Sequence, residues 1–103
     1  MYGQLETSYT FRNMESTEAL REHTEDELDK LHKYLIKQNA SAHVIFKVEG
    51  VRHLAEITLT IRGGRYACSN TSDDMYASVD SAVKKLEKQL SKNKEKITGH
   101  HEA

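Results

Sequence analysis

Three β-rich runs follow one another over residues 43–49, 52–62 and 65–71, joined only at Gly50-Val51 and Gly63-Gly64. A parallel pair needs a crossover of a dozen or more residues, so connections this short leave only antiparallel hairpins. Glycine accepts the positive φ angles of tight turns that match strand twist, and a Gly-Gly pair between β-rich runs is a hairpin signal. Val44, Phe46 and Val48 share one phase, as do Ala55, Ile57, Leu59 and Ile61, so each run has one apolar face. That face has to be covered by the rest of the chain.

The flanking segments supply the cover. Residues 4–11 alternate, with Leu5, Thr7, Tyr9 and Phe11 on one side, and predict a fourth strand. Over 16–38 the period becomes helical, with Leu20, Thr24, Leu28, Leu31 and Leu35 within an arc of about 80°. Ser16 or Thr17 can cap this helix, and Asn39 can close it in a left-handed conformation. A second helix runs from Asp73 or Asp74 to Lys94, with Tyr76, Val79, Val83, Leu86 and Leu90 on one stripe of about 80°. Ser72, Asp73 and Asp74 offer oxygens for its N-terminus. The order β-α-β-β-β-α predicts an α+β fold of two layers, with both helices packed on one face of a four-stranded, mostly antiparallel sheet and the other face open.

The size of 103 residues, 37% of them apolar, allows one core. Repeats, linkers and low-complexity tracts are absent from the sequence, so residues 1–97 read as a single domain and 98–103 as a short polar tail. No apolar stretch approaches the roughly 20 residues of a membrane-spanning helix. The first residues lack a basic segment followed by an apolar one, so neither a signal peptide nor a membrane partner is expected. The single cysteine, Cys68, rules out an internal disulfide and suits a reducing compartment, with the cytoplasm as the expected location.

A formal net charge of −1 hides a strong polarity. Residues 15–29 hold seven acids against the single basic Arg21. Residues 84–96 hold Lys84, Lys85, Lys88, Lys92, Lys94 and Lys96 against Glu87 and Glu95. Most of these lysines lie opposite the apolar stripe with few compensating i, i+4 acids, and they continue past the stripe's end. Such a face either binds a polyanion, with RNA as the favoured partner, or only solubilises the helix. Arg52, Arg62 and Arg65 near the strand ends can extend it.

Enzyme chemistry has weaker support. Cys68 sits mid-strand in RYACSN without a glycine-framed elbow, a setting in which cysteine acts as a small hydrophobe. The six histidines show no HExxH and no i, i+4 histidine pair, so no metal is expected. No GxGxxG or Walker pattern occurs, and neither a cofactor nor a small-molecule substrate is expected.

The segments STEALREH, VIFKVEGVRH, ITLTIRGG and DDMYASVDSAVKKLEKQLSKNKEK resemble the ribosome hibernation promoting factor family, which includes ribosome-associated inhibitor A. The likeness spans nearly the whole chain, and its most specific parts are Asp74-Met75-Tyr76-Ala77 with Asp80 and the lysine run that follows. The resemblance implies a fold akin to double-stranded-RNA-binding domains. It implies binding to the small ribosomal subunit in the channel for messenger and transfer RNA, inhibition of translation in stationary phase or stress, and promotion of ribosome dimers, in which a separate ribosome modulation factor cooperates. Carried over by position, contacts to ribosomal RNA fall on Lys84, Lys85, Lys88, Lys92, Lys94 and Lys96, with Arg21 nearby, while Asp74, Tyr76 and Asp80 start and anchor the second helix. The short chain matches the short form of the family. Glu25-Asp26-Glu27 departs from the family in being more acidic, and this opens a second reading, a protein-binding module whose first helix docks a basic partner such as a ribosomal protein.

Overall fold

A computed structural model describes residues 4–35, 39–61 and 64–99, with side chains through Lys92. The hairpins form as the short joints require. Strand β2 (Ala40–Glu49) pairs antiparallel with β3 (Arg52–Ile61), and β3 with β4 (Gly64–Ser72). Gly50 at the first turn has φ +61°, a backbone state that glycine adopts without cost to a side chain. Strand β1 (Leu5–Arg12) pairs parallel with β2, from Leu5 opposite Ala40 to Arg12 opposite Lys47. The sheet order is β1-β2-β3-β4. One parallel pair is what the helix between β1 and β2 allows, since it provides the long crossover.

That crossover is shorter and tighter than its periodicity predicts. Helix α1 covers Glu18–Leu28, capped by Thr17, whose hydroxyl accepts the Leu20 N–H at 3.0 Å. A 3₁₀ turn then occupies Asp29–Tyr34. His32 Nδ1 donates to the Asp29 carbonyl at 3.2 Å, and Leu35 N–H donates to the His32 carbonyl at 2.9 Å. The side chain thus takes an acceptor that an α-helix would use, and three residues per turn bring Leu31 under Leu28. Leu28, Leu31 and Leu35 are all buried. The expected left-handed closure at Asn39 is corrected: the helical stretch ends at Tyr34, Asn39 is not among the described residues with positive φ, and it lies just before β2, its Oδ1 accepting the Gln4 N–H at 2.9 Å.

Helix α2 (Met75–Gly99) packs on β3 and β4. Its backbone stays helical to Gly99, beyond the expected end at Lys94; residues 100–103 of the expected tail lie outside the described residues. Met75, Val79, Ala82, Val83, Leu86 and Leu90 are buried. Tyr76, placed on the apolar stripe by periodicity, is instead 39% exposed at its border. Ser78 takes the buried place, because its hydroxyl is satisfied there, donating to the His53 carbonyl at 2.6 Å.

The core lies between the helices and one sheet face, centred on Val44, Phe46, Ile57, Leu59, Val79 and Leu86. Phe46 stacks with Phe11 at a centroid distance of 4.8 Å and lies 6.0 Å from Tyr9. It therefore joins β1 to the hairpin sheet through side chains as well as through the ladder. Phe46→Ala should lower unfolding free energy by about 3–5 kcal/mol. Urea denaturation of the variant checks this, and a decrease below about 1 kcal/mol would show that the aromatic cluster is not what binds β1.

Candidate nucleic-acid interface

The turn between β4 and α2 fixes where the lysines go. Asp74 lies just before the helix, its Oδ1 accepting the Tyr76 N–H at 3.2 Å and its carbonyl accepting the Ser78 N–H at 3.0 Å. The Ser72 hydroxyl donates to the Asp74 carbonyl at 2.8 Å and lies 2.6 Å from the Ser78 hydroxyl. Strand end and helix start are thus stitched together, and α2 must fold back antiparallel along β4. Two sets of hydrogen bonds mark this path. Lys85 Nζ donates to the Ser69 carbonyl at 2.9 Å and to Asn70 Oδ1 at 3.2 Å; one helical turn on, Gln89 Nε2 reaches the Ala67 carbonyl at 3.5 Å and Cys68 Sγ at 3.1 Å. Four helical residues rise about 6 Å, close to two strand residues at about 3.3 Å each. The next turn of α2, beyond Lys92, therefore comes level with Arg65.

Lys84, Lys88 and Lys92 are exposed, and none makes a salt bridge with a described residue. Glu87, one of the two acids within the run, is occupied from the other side of the helix by Lys33, 2.9 Å away. The acid that could neutralise the row thus faces the 3₁₀ turn, and the row keeps its positive charge. Arg65 is exposed on β4, but its side chain lies on the helix-free face of the sheet beside His43, Thr58 and Thr60, so the structure does not bring it to the lysine row. Lys94 and Lys96 lie on the last turns of α2, where the backbone alone is described.

Other expected cations fall elsewhere. The Arg21 guanidinium sits 5.7 Å from the ring centres of both Tyr9 and Phe11 on β1. That is the opposite edge of the sheet from β4, three strand spacings of about 4.8 Å away. The structure does not bring Arg21 to the lysine row. Nearby, the Tyr9 hydroxyl donates to Glu25 Oε2 at 3.1 Å; burial first, then the Glu25 charge, pushes its ionisation well above the ordinary tyrosine range. Arg62 lies outside the residues whose secondary structure and exposure are described. Asp80 meets His23 of α1, with Oδ1 and Nε2 2.6 Å apart, and the His23 and Tyr76 rings meet edge-on at 5.0 Å.

Sequence reasoning missed Ser69, Asn70 and Gln89. The signal was available: a helix that follows an edge strand through two aspartates has to run back along it, so every fourth helix residue meets every second strand residue. These hydrogen bonds also cover β4 carbonyls at an edge that would otherwise be open to another strand. Cys68 is buried beneath Gln89, and burial pushes its thiol up, against a smaller opposite effect of Lys85.

A small α+β domain with an exposed lysine row on one helix, unpaired among the described residues, is of the class that offers a charged surface rather than a cleft. Residues 7–98 match the family described as Sigma 54 modulation protein / S30EA ribosomal protein, and the chain belongs to that family. It is 38% identical over 96 residues to the ribosome hibernation promoting factors of Escherichia coli (strain K12) and Salmonella typhimurium, covering 93% of this chain and 100% of each relative. Among solved structures it is similar to the Thermus thermophilus Protein Y N-terminal domain, with TM-score 0.78, 30% identity, and 86% and 97% of the two chains covered. A ribosomal subunit interface protein from Coxiella burnetii gives TM-score 0.72 and 28% identity over 88% and 97%.

Lys85→Met should lower stability by roughly 0.5–1.5 kcal/mol, since it removes two hydrogen bonds donated by an ammonium. Lys88→Met should stay within about 0.5 kcal/mol of wild type. Urea midpoints of the two variants check the contrast, and equal midpoints would mean that Lys85 does not hold α2 to β4.

Proposed function

We propose that the chain is a ribosome hibernation factor whose α2 lysine row lies against ribosomal RNA in the channel of the small subunit used by messenger and transfer RNA. Residues 1–97 act as one ribosome-binding unit in the cytoplasm. Occupying that channel inhibits translation in stationary phase or stress, and a separate modulation factor cooperates in promoting ribosome dimers. The observation that carries this reading is the exposed row of Lys84, Lys88 and Lys92, unpaired among the described residues while Glu87 is tied to Lys33. An ammonium every helical turn suits a folded phosphate backbone, whose positioning contacts need no access to base edges. Family membership and the relatives named hibernation promoting factor support the same reading.

The row divides the labour of binding. Lys84, Lys88 and Lys92 carry affinity, and the last turns of α2 extend the binding surface along the helix. Lys85 acts mainly by positioning, because it fixes the helix that presents the others. The role is non-catalytic. Cys68, the candidate nucleophile, is buried and holds its proton more tightly than a free thiol, the reverse of what attack requires. Among the described residues no helix is long and apolar enough to cross a membrane.

Salt dependence tests the mechanism, because each lysine that neutralises a phosphate releases counterions. Lys88→Glu combined with Lys92→Glu should weaken ribosome binding and reduce the slope of log K against log salt by about 0.7–0.9 for each phosphate no longer neutralised. Affinity and slope matching wild type would remove the lysine row as the binding surface.

A further inference from the structure

The seam between α1 and α2 gathers three metal-ligating side chains that the RNA reading leaves unused. His23 and Glu27 lie one turn apart on α1, and Asp80 faces them from α2. One ligand atom of each lies within 4.8 Å of the other two. His23 Nε2 is already 2.6 Å from Asp80 Oδ1, and the Tyr76 ring closes one side of the imidazole. All three donors are partly buried and stand on helices fixed by their own packing, Leu20, Thr24 and Leu28 on α1 and Val79 and Val83 on α2.

The spot already collects a cation. Lys30 Nζ lies 3.0 Å from Glu27 Oε1. Its ammonium holds its proton more tightly than usual, through that hydrogen bond first and the Glu27 charge second, with smaller effects of the same sign from Asp80 and Glu87. Two carboxylates and a neutral imidazole carry a double negative charge, which one ammonium meets only in part and a divalent ion meets in full. The nitrogen donor selects the class of ion, because magnesium and calcium prefer oxygen alone. Zinc takes histidine nitrogen and carboxylate oxygen at about 2.0–2.2 Å, with water completing a tetrahedron. Side-chain exposures of 30% in His23 and 44% in Asp80 leave room for the rotations that this geometry requires.

We propose that His23, Glu27 and Asp80 form a binding site for a zinc-type divalent transition metal that clamps α1 to α2. Coordination replaces the hydrogen bond between His23 and Asp80, so the proton of the ligating nitrogen moves to the other ring nitrogen or leaves. A protonated imidazole cannot ligate, and acid therefore releases the ion. Lys30 competes with the metal for Glu27. The absence of an HExxH or of paired histidines in the sequence does not argue against the site, since its third ligand arrives from a helix 57 residues away.

Zinc titration followed by calorimetry and by thermal unfolding tests the site on the full chain, with His100→Ala and His101→Ala in every sample so that the adjacent pair cannot capture the ion. The parent should bind one equivalent and melt at higher temperature in zinc, with no comparable shift in magnesium. His23→Gln and Asp80→Asn, each able to keep a hydrogen bond across the seam, should both abolish the binding and the shift. Lys30→Met should bind zinc several-fold more tightly. The proposal is overturned by a parent that binds no zinc, by a shift that persists in both ligand variants, or by an unchanged affinity in Lys30→Met, whose exposed side chain is not needed for folding.

Discussion

The seating of the α2 apolar stripe on β3 and β4 is the packing on which the charge arrangement depends. Burial of Val79, Val83, Leu86 and Leu90 fixes the rotation of the helix about its axis. Each buried side chain of this size contributes about 1.5–3 kcal/mol relative to exposure, so rotating the helix to hide its lysines would sacrifice several such terms. Lys84, Lys88 and Lys92 are held outward by hydrophobic packing, without ion-pair partners among the described residues. The Asp74 cap and the hydrogen bonds of Lys85 and Gln89 then set the helix direction, so the row runs along the β4 edge.

Charge separation follows from the same geometry. The acids of α1 stand on a different helix from the lysine row, and Glu87 is paired with Lys33. A chain of net charge −1 can therefore present a positive edge to a polyanion while its other helix repels it. In the proposed function, this separation favours one orientation on the polyanion. Steering by separated charge gives register as well as affinity, and it weakens as salt shortens the screening length.

Element order and the antiparallel hairpins were legible in the sequence because glycine joints and alternation between 43 and 71 admit few alternatives. The two helices were legible as stripes. Details that depend on local competition for hydrogen bonds were not. The 3₁₀ turn at Asp29–Tyr34 arises where His32 takes a backbone acceptor, and Leu28, Leu31 and Leu35 satisfy an α-helical wheel equally well. Tyr76 was expected on the buried stripe, whereas Ser78 is buried because its hydroxyl found the His53 carbonyl, a partner distant in sequence. The lysine row could be read from spacing, but the separation of Arg21 from it could not. Only the sheet order places β1 and β4 at opposite edges.

The most direct measurement is co-sedimentation of the purified protein with ribosomes through sucrose gradients at two salt concentrations, reading both the position of the protein and the ribosome species. Lysine-driven binding to ribosomal RNA predicts co-migration with the small subunit at low salt that fades at high salt. Protein remaining at the top of the gradient under both conditions would contradict it.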